Sequence, residues 1–470
     1  MREIRRFHFV PIGGTAMVPL AALLLERGHR VTGSDRTLYP PMSTTLERLG
    51  IAVSEGFAPE HVPPDCDVVV VGNAALADNV EAAEALRRRL PVLSLPQAVQ
   101  KYLLPGKTSV VIAGTHGKTT TSALTAWLLL DSGRDPGMLV GGEMRNLGRG
   151  YRQGAGPHFV LEGDEYNAAF FDRGPKFLHY EPRHLFVGNI EYDHADLYPN
   201  LESIVAAFAQ VVALVPPEGI VAINADDPRV VEVARKARAA VIRISLDEAG
   251  ADFSARDIAY HAGGTDFTLL EAGLPTARLS SPLTGRHNVR NTLGAVALAR
   301  GLNLSAGEIA RALTRFEGVR RRLEIKGERR GILVVDDFAH HPTAVRSTLE
   351  AARARFPNRR LWALFEPRSN TAGRKMFEEE YGEAFGLADA LVIAPVFHAQ
   401  RLGADARIDR EALVKGFKAA DKAADKPAFA PAEIGEIPEI LRSHARSGDV
   451  LLLMSSGAFG GLPETLLSAL

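Results

Sequence analysis

Residues 108–132, TSVVIAGTHGKTTTSALTAWLLLDS, leave the folding chain few options. The run Val110, Val111, Ile112 is apolar and β-branched, the pattern of a strand buried on both faces. It leads into a tight turn, Gly114, Thr115, His116, Gly117, and then into a helical pattern that opens at Lys118 and stops at Gly133. Glycine suits that stop because it accepts the left-handed conformation that ends a helix. A strand feeding a helix through so short a loop is a β–α unit, and such units build parallel sheets. The same arrangement makes an anion site, because free backbone N–H groups and the helix dipole converge on one spot. Lys118 adds a mobile cation for the β- and γ-phosphates, and the Thr119 hydroxyl is placed to ligate Mg²⁺. Ile112 stands where the general phosphate-loop pattern has glycine, so this is a shortened form of it.

At 470 residues the chain has room for about three domains. With 46% hydrophobic and 24% charged residues it can bury substantial cores. The net charge of −1 implies no general attraction to nucleic acid or to a membrane surface. A single cysteine, Cys66, excludes an intramolecular disulfide and a cysteine-cluster metal site; ahead of VVVVG it reads as a small buried hydrophobe. MREIRR followed by FHFVPIGGTAMVPLAALLL has the outline of a secretory signal. However, Pro11, Gly13 and Gly14 interrupt the apolar run, and ERGHRVTGSD follows without a small-residue cleavage site. Strand, turn, helix and strand describe the segment better. No stretch is long and apolar enough to span a membrane, so the expectation is a soluble cytoplasmic protein.

Phe7–Val10 reads as a strand, Ile12–Gly14 as a turn, Thr15–Arg27 as a helix closed by Gly28, and Arg30–Gly33 as a strand delivering Ser34 and Asp35. An acid about 20 positions past a glycine turn is what nucleotide-binding β–α–β units use on a ribose. That puts a pyrophosphate on Gly13, Gly14 and Thr15. These residues alone leave a dehydrogenase-type dinucleotide domain open. Asn73, after VVVVG, and Asn79 are either ligand contacts or turn formers. Further on, Phe159–Leu161 leads to Glu162, Asp164 and Glu165, and Leu185–Val187 to Asn189, Glu191, Asp193, His194 and Asp196. Acids so close repel one another unless a cation lies among them, and Mg²⁺ is the natural complement. His287 and Asn291 stand one helical turn apart, with Asn288 as a candidate N-cap. The last third alternates strands and helices. One strand ends in Asp336 and Asp337 before His340, His341 and Pro342, and Leu361–Phe365 precedes EPRSNT. DKAADKP reads as a solvated helix end.

AGTHGKTTT, PIGGTAM with GSD, EGDEYN, NIEYDHADLY, GRHNVRN, FEGVRRRLE and DDFAHHP together resemble the Mur ligase family, the ATP-dependent amide-forming enzymes of peptidoglycan assembly. The resemblance covers nearly the whole chain. It implies a three-domain α/β architecture: a Rossmann-like domain for UDP-muramate at 1–105, a phosphate-loop ATPase domain at 106–318 and a Rossmann-like peptide-binding domain at 319–470. It places UDP, not NAD, on the first domain, and implies that the domains close around ATP. Lys118, Glu162 and His194 become the catalytic residues, and Thr119, Glu162 and His194 hold Mg²⁺. ATP falls to Gly114, Thr115, His116, Gly117, Lys118, Thr119 and Thr120. His287 and Asn291 join them, with Arg321 or Arg322, and with Asp336 and Asp337 for ribose or metal. The UDP-sugar falls to Gly13, Gly14, Thr15, Ser34, Asp35 and Asn73, and the peptide to Arg368 and Asn370. Pro11 departs from the family's first glycine and removes one N–H from the phosphate turn. DDFAHHP belongs to the branch that acts on UDP-N-acetylmuramate. Within it, YPPMS, EYNAAFFDRGPKFLHYEPR, EPRSNT and SSGAFGG resemble the form that attaches a recycled tripeptide, L-Ala-γ-D-Glu-meso-diaminopimelate; the form that adds L-alanine is the alternative. A monomer or weak homodimer is expected.

Overall fold

A computed structural model describes residues 4–39, 42–195, 197–248, 250–369, 371–401, 403–420 and 426–470. Asp196, Asn370, Pro40 and Pro41 of YPPMS, and most of DKAADKP lie outside them. Among the described residues the strands form three principal sheets. The first is parallel throughout, in the order Ala52–Glu55, Arg30–Asp35, Arg6–Val10, Val68–Val71, Val92–Ser94. The chain winds outward in both directions from Arg6–Val10, which makes the gap between that strand and Val68–Val71 the switch point where open α/β sheets bind ligands. The turn Gly13–Gly14 and Asn73 flank that gap.

The central sheet is ten-stranded. Its parallel heart runs Ala240–Ser245, Ile220–Asn224, His184–Val187, Thr108–Ala113, His158–Gly163, Gly137–Met144. An antiparallel set over residues 253–281 extends one edge, and Arg149–Arg152 closes the other. The third sheet places Val450–Met454 between Ile332–Asp337 and Leu361–Phe365, all parallel, with the antiparallel strand Glu324–Arg329 at one edge.

The helix forecast over Thr15–Arg27 runs Met17–Glu26, with Gly28 at φ +86° ending it. Its leucines Leu20, Leu23 and Leu24 are fully buried, each stabilising by about 2 kcal/mol. The apolar cluster they join continues through Phe159 and Leu161 of the central sheet. That double packing explains why the segment is apolar all round, the property that gave it the outline of a leader. No helix among the described residues is long and apolar enough to cross a membrane.

Beneath the first sheet's carboxyl edge lies a buried polar cluster that sequence reading did not anticipate. Glu81 is wholly inaccessible, on a helix capped by Asn79, whose side chain accepts from the Glu81 and Ala82 N–H groups. Its carboxylate accepts from the Ser34 hydroxyl and from Ala58 N at 3.1 Å, with His61 Nδ1 at 3.0 Å and His8 Nε2 at 3.2 Å. Of the two readings of Asn79 the local one holds, since it caps this helix. One expectation changes: Ser34, assigned to the sugar nucleotide, is buried against Glu81. Burial works to raise the Glu81 pKa, but the hydrogen bonds from His8, Ser34 and Ala58 outweigh it and hold the group below its ordinary value. A depressed pKa stabilises the fold above the unfolded value, about 4.3, and that contribution is lost as pH falls through the folded value. Glu81→Ala should therefore cost roughly 3 kcal/mol at neutral pH. Calorimetric melts of the two proteins from pH 7 downward should converge in acid.

Candidate active site

Three adjacent parallel strands deliver their carboxyl ends side by side. Thr108–Ala113 lies between His158–Gly163 and His184–Val187, with Ile112 opposite Glu162 and Ala113 opposite Val187. This register puts Glu162 beside the start of the glycine loop and Asn189 against its backbone. Asn189 clamps the loop: its Oδ1 accepts from His116 N at 2.8 Å, its Nδ2 donates to His116 O at 3.1 Å, and its carbonyl accepts from Thr115 N at 3.0 Å. Gly117 sits at φ +80°, and a Cβ there would stand 2.5 Å from Asn291 Oδ1. Glycine is thus required twice over, by the left-handed turn and by the approach of the helix Arg286–Gly301.

Lys118 opens the next helix and folds back across the loop. Its ammonium donates to Gly114 O at 2.7 Å and to Glu165 Oε2 at 2.8 Å. Burial would lower its pKa, yet the charges of Glu165, Asp164 and Glu162 raise it, so it stays cationic. The other Glu165 oxygen lies 3.0 Å from His194 Nε2. Against the cost of burial, Lys118 and His194 hold the Glu165 carboxyl down at about 2. His194 moves the opposite way: burial opposes its charge, but Glu165 and Asp193 raise its pKa. Glu162 accepts from the Thr119 hydroxyl at 2.9 Å and from Gly141 N at 2.7 Å. Burial, then the nearby charge of Asp164, raise its pKa. A carboxyl so placed gains from a cation.

The expected metal set is thus only partly assembled in this arrangement. Thr119 and Glu162 touch, whereas His194 bonds to Glu165. The sequence sets Glu165 among neighbouring acids that call for a cation; only the fold places it between the lysine and the histidine. The choice between the two hinge arginines is also corrected. Arg321 turns away, its Nε donating to Asp336 at 3.2 Å and its Nη2 to Ser455 O at 2.6 Å. Arg322 reaches the loop and donates to Thr119 Oγ1 at 3.0 Å. Asp337 is committed to the hinge, accepting from Leu323 N at 2.7 Å and Ala339 N at 2.8 Å. Asp336 is raised to about 6 by burial, against the pull of Arg321. Gly285, not Asn288, precedes the helix bearing His287 and Asn291; Asn288 donates instead to Thr284 O at 2.9 Å. His287 is held neutral at about 4, chiefly by burial.

In the first domain, Asp35 Oδ2 accepts from Gly13 N at 2.7 Å, so the acid braces the glycine turn. Thr15 and Asn73 are exposed at the same edge. In the third domain the Arg368 guanidinium lies over the Phe397 ring, 3.7 Å from its centre. A Cβ on Gly457 would stand 2.0 Å from Arg368 Nε, so that glycine is what lets the arginine lie flat. Residues from the central and third domains meet across the loop, through Arg322 on Thr119, Thr343 on Glu191 at 2.6 Å and Thr371 on Asp193 at 2.6 Å. A held cation, a hydroxyl and clustered carboxylates at a strand–loop–helix junction have the chemistry to suit a polyphosphate and its counter-cation.

Comparison with known proteins gives one family along the chain. The profile described as Mur ligase family, catalytic domain, matches residues 6–105; Mur ligase middle domain matches 112–299; and Mur ligase, glutamate ligase domain, matches 321–457. The UDP-N-acetylmuramate–L-alanyl-γ-D-glutamyl-meso-2,6-diaminoheptanedioate ligase of Escherichia coli is 35% identical over 466 residues, 99% of this chain and 98% of its own. The UDP-N-acetylmuramate–L-alanine ligase of Rubrobacter xylanophilus is 36% identical, over 99% of this chain and 100% of its own. The crystal structure of a murein peptide ligase from Psychrobacter arcticus matches with a TM-score of 0.74 at 33% identity, over 99% of this chain and 98% of that one.

Gly117→Ala should force a non-glycine residue into left-handed backbone against Asn291, at a cost of order 1–3 kcal/mol. Titration with a fluorescent ATP analogue should show a tenfold or greater loss of affinity, with the far-UV circular dichroism unchanged.

Proposed function

The chain belongs to the Mur ligase family of ATP-dependent amide ligases, and we propose that it joins UDP-N-acetylmuramate to L-alanyl-γ-D-glutamyl-meso-diaminopimelate, a step of peptidoglycan recycling in the cytoplasm. The observation that carries the chemistry is the Lys118–Glu165–His194 array beside Thr119 and Glu162, at the carboxyl ends of adjacent strands. In this reading residues 1–105 hold the UDP-sugar through Gly13, Gly14, Thr15, Asp35 and Asn73. Residues 106–318 hold ATP, and 319–470 present the peptide, with Arg368 offering its planar fork to a peptide carboxylate. In this reading the protein acts as a monomer or weak homodimer.

The muramate carboxylate attacks the γ-phosphorus of ATP, ADP leaves, and an acyl phosphate results. The peptide amine then attacks the acyl carbon, and the tetrahedral intermediate expels phosphate as the amide forms. An anion attacking a polyanion needs fixed geometry and neutralised charge. Lys118 supplies a cation already aimed along the loop, and Glu165 keeps it protonated. Asn189 holds the loop backbone in the shape proposed to cradle phosphate, and Asn291 packs against Gly117. His287 and Asp336 lie on the nucleotide's side in this assignment.

Thr119 and Glu162 offer hard oxygens 2.9 Å apart, and the raised Glu162 carboxyl fits a site that gains from a cation, so the residues suit Mg²⁺. His194, which bonds to Glu165 here, would be the third residue of the set. When bound, the ion offsets the negative charge of the transferring phosphate.

The alanine-adding relative at 36% identity keeps L-alanine as the second reading. Phosphate release should be measured with ATP, Mg²⁺ and UDP-N-acetylmuramate, with tripeptide or L-alanine added and the product mass confirmed. Ligation with the tripeptide is expected; preference for L-alanine would move the protein to de novo synthesis. Lys118→Ala should lower kcat by 10²–10³-fold, about 3–4 kcal/mol of transition-state stabilisation. Near-normal turnover in the folded variant would remove the loop lysine from the chemistry.

A further inference from the structure

Beside the nucleotide loop, on its third-domain side, stands a cluster of three side chains to which the proposed ligation gives no role, although the backbone of one, His116, forms part of the loop. His116 Nε2 lies 3.3 Å from Glu191 Oε2, and His341 Nδ1 lies 3.6 Å from the same oxygen. The three donor atoms are all within 4.8 Å of one another. His116 belongs to the glycine loop, Glu191 follows the strand His184–Val187, and His341 immediately precedes the first helix of the third domain. We propose that these three side chains form a second cation site, for a borderline divalent ion of the zinc class, across the seam between the central and third domains.

The donor chemistry selects the ion. Two imidazole nitrogens with a single carboxylate oxygen suit Zn²⁺ and its neighbours, whereas Mg²⁺ favours sets made mainly of oxygen, as Thr119 and Glu162 begin to supply. Tetrahedral zinc with arms of about 2.0–2.1 Å sets its ligand atoms about 3.3–3.4 Å apart. Two edges of the triangle already stand close to that, and only the histidine pair has to draw in. The rings are 4.8 Å apart between centroids and tilted by 42°, so neither blocks the other by stacking.

The surroundings fix the ligands as an outer shell does around metals. His341 Nε2 lies 3.3 Å from the Tyr192 carbonyl, which holds the ring proton there. Nδ1 accepts from Thr343 N at a long 3.4 Å, a helix cap that an ion would displace, and lies 3.6 Å from Glu191 Oε2. The Thr343 hydroxyl donates to Glu191 Oε2 at 2.6 Å and orients the carboxylate. Asn189 pins the His116 backbone on both sides. Three protein ligands leave a fourth position open to water or a substrate oxygen. None of the three is shared with Thr119, Glu162 or His194. An ion here ties the glycine loop to the third domain, and holds those domains packed as they are.

The test is equilibrium dialysis of the full chain, free of nucleotide, against Zn²⁺ alone, with bound metal counted. Co²⁺ absorption serves as a check on tetrahedral geometry. One retained equivalent is expected. His341→Ala and Glu191→Gln should each weaken it by at least tenfold, Thr343→Val by a smaller factor, and Glu162→Gln should leave it in place. Circular dichroism confirms that each variant is folded, and Glu191→Gln keeps the Thr343 hydrogen bond should His341→Ala disturb the helix start. No retained zinc in the parent protein would overturn the site. So would binding that survives both His341→Ala and Glu191→Gln, or that disappears with Glu162→Gln.

Discussion

Glu165 holds the Lys118 ammonium on one oxygen and the His194 imidazole on the other, and the rest of the site depends on that pairing. A lysine this deeply placed cannot stay charged unpaired, because desolvation alone would strip its proton. With Glu165 present the ammonium remains protonated and bonded to the carbonyl of Gly114, at the head of the glycine loop. The pair is worth little as net stability, since two desolvation costs offset the attraction. Its value is positional: a charge is stored at the loop before substrate arrives.

The loop is equally constrained from its other sides. Asn189 grips the His116 backbone, Asn291 closes on Gly117, and Arg322 crosses from the hinge to Thr119. Each contact comes from a different segment, so the loop's shape belongs to the assembled domains. Arg145 N bonds to Gly318 O at 3.0 Å and Arg320 N to Glu143 O at 2.9 Å, tying the hinge to the strand Gly137–Met144. The glycines of that strand serve the same end. Gly141 donates to Glu162, and a Cβ on Gly142 would stand 2.7 Å from the Thr119 methyl. The third domain thus touches the loop helix directly, through Arg322 on Thr119.

Much of this was legible in the sequence because it is local. The strand–loop–helix at 108–132, the glycine stops at 28 and 133, and the acids just past two strand ends all follow from periodicity, backbone freedom and helix electrostatics acting over a few residues. Resemblance then supplied the family and three-domain order, because the quoted motifs are spread along nearly the whole chain. The local reading failed where two neighbours had equal claims. Arg321 and Arg322 are adjacent and chemically identical, and only the hinge, where Arg321 and Leu323 both have positive φ, decides which reaches Thr119.

By itself the sequence determined the elements, the parallel sheets and the anion-binding loop, since each rests on interactions within one strand–turn–helix unit. The tertiary structure alone decided the partners. Register set Ile112 beside Glu162, and packing buried Ser34 on Glu81 instead of leaving it to a ligand. The fold also brought His341 to within reach of a glutamate 150 positions earlier. The physical reason is range: propensity and periodicity act over a turn or two, whereas a buried charge takes whichever partner the fold brings within about 3 Å.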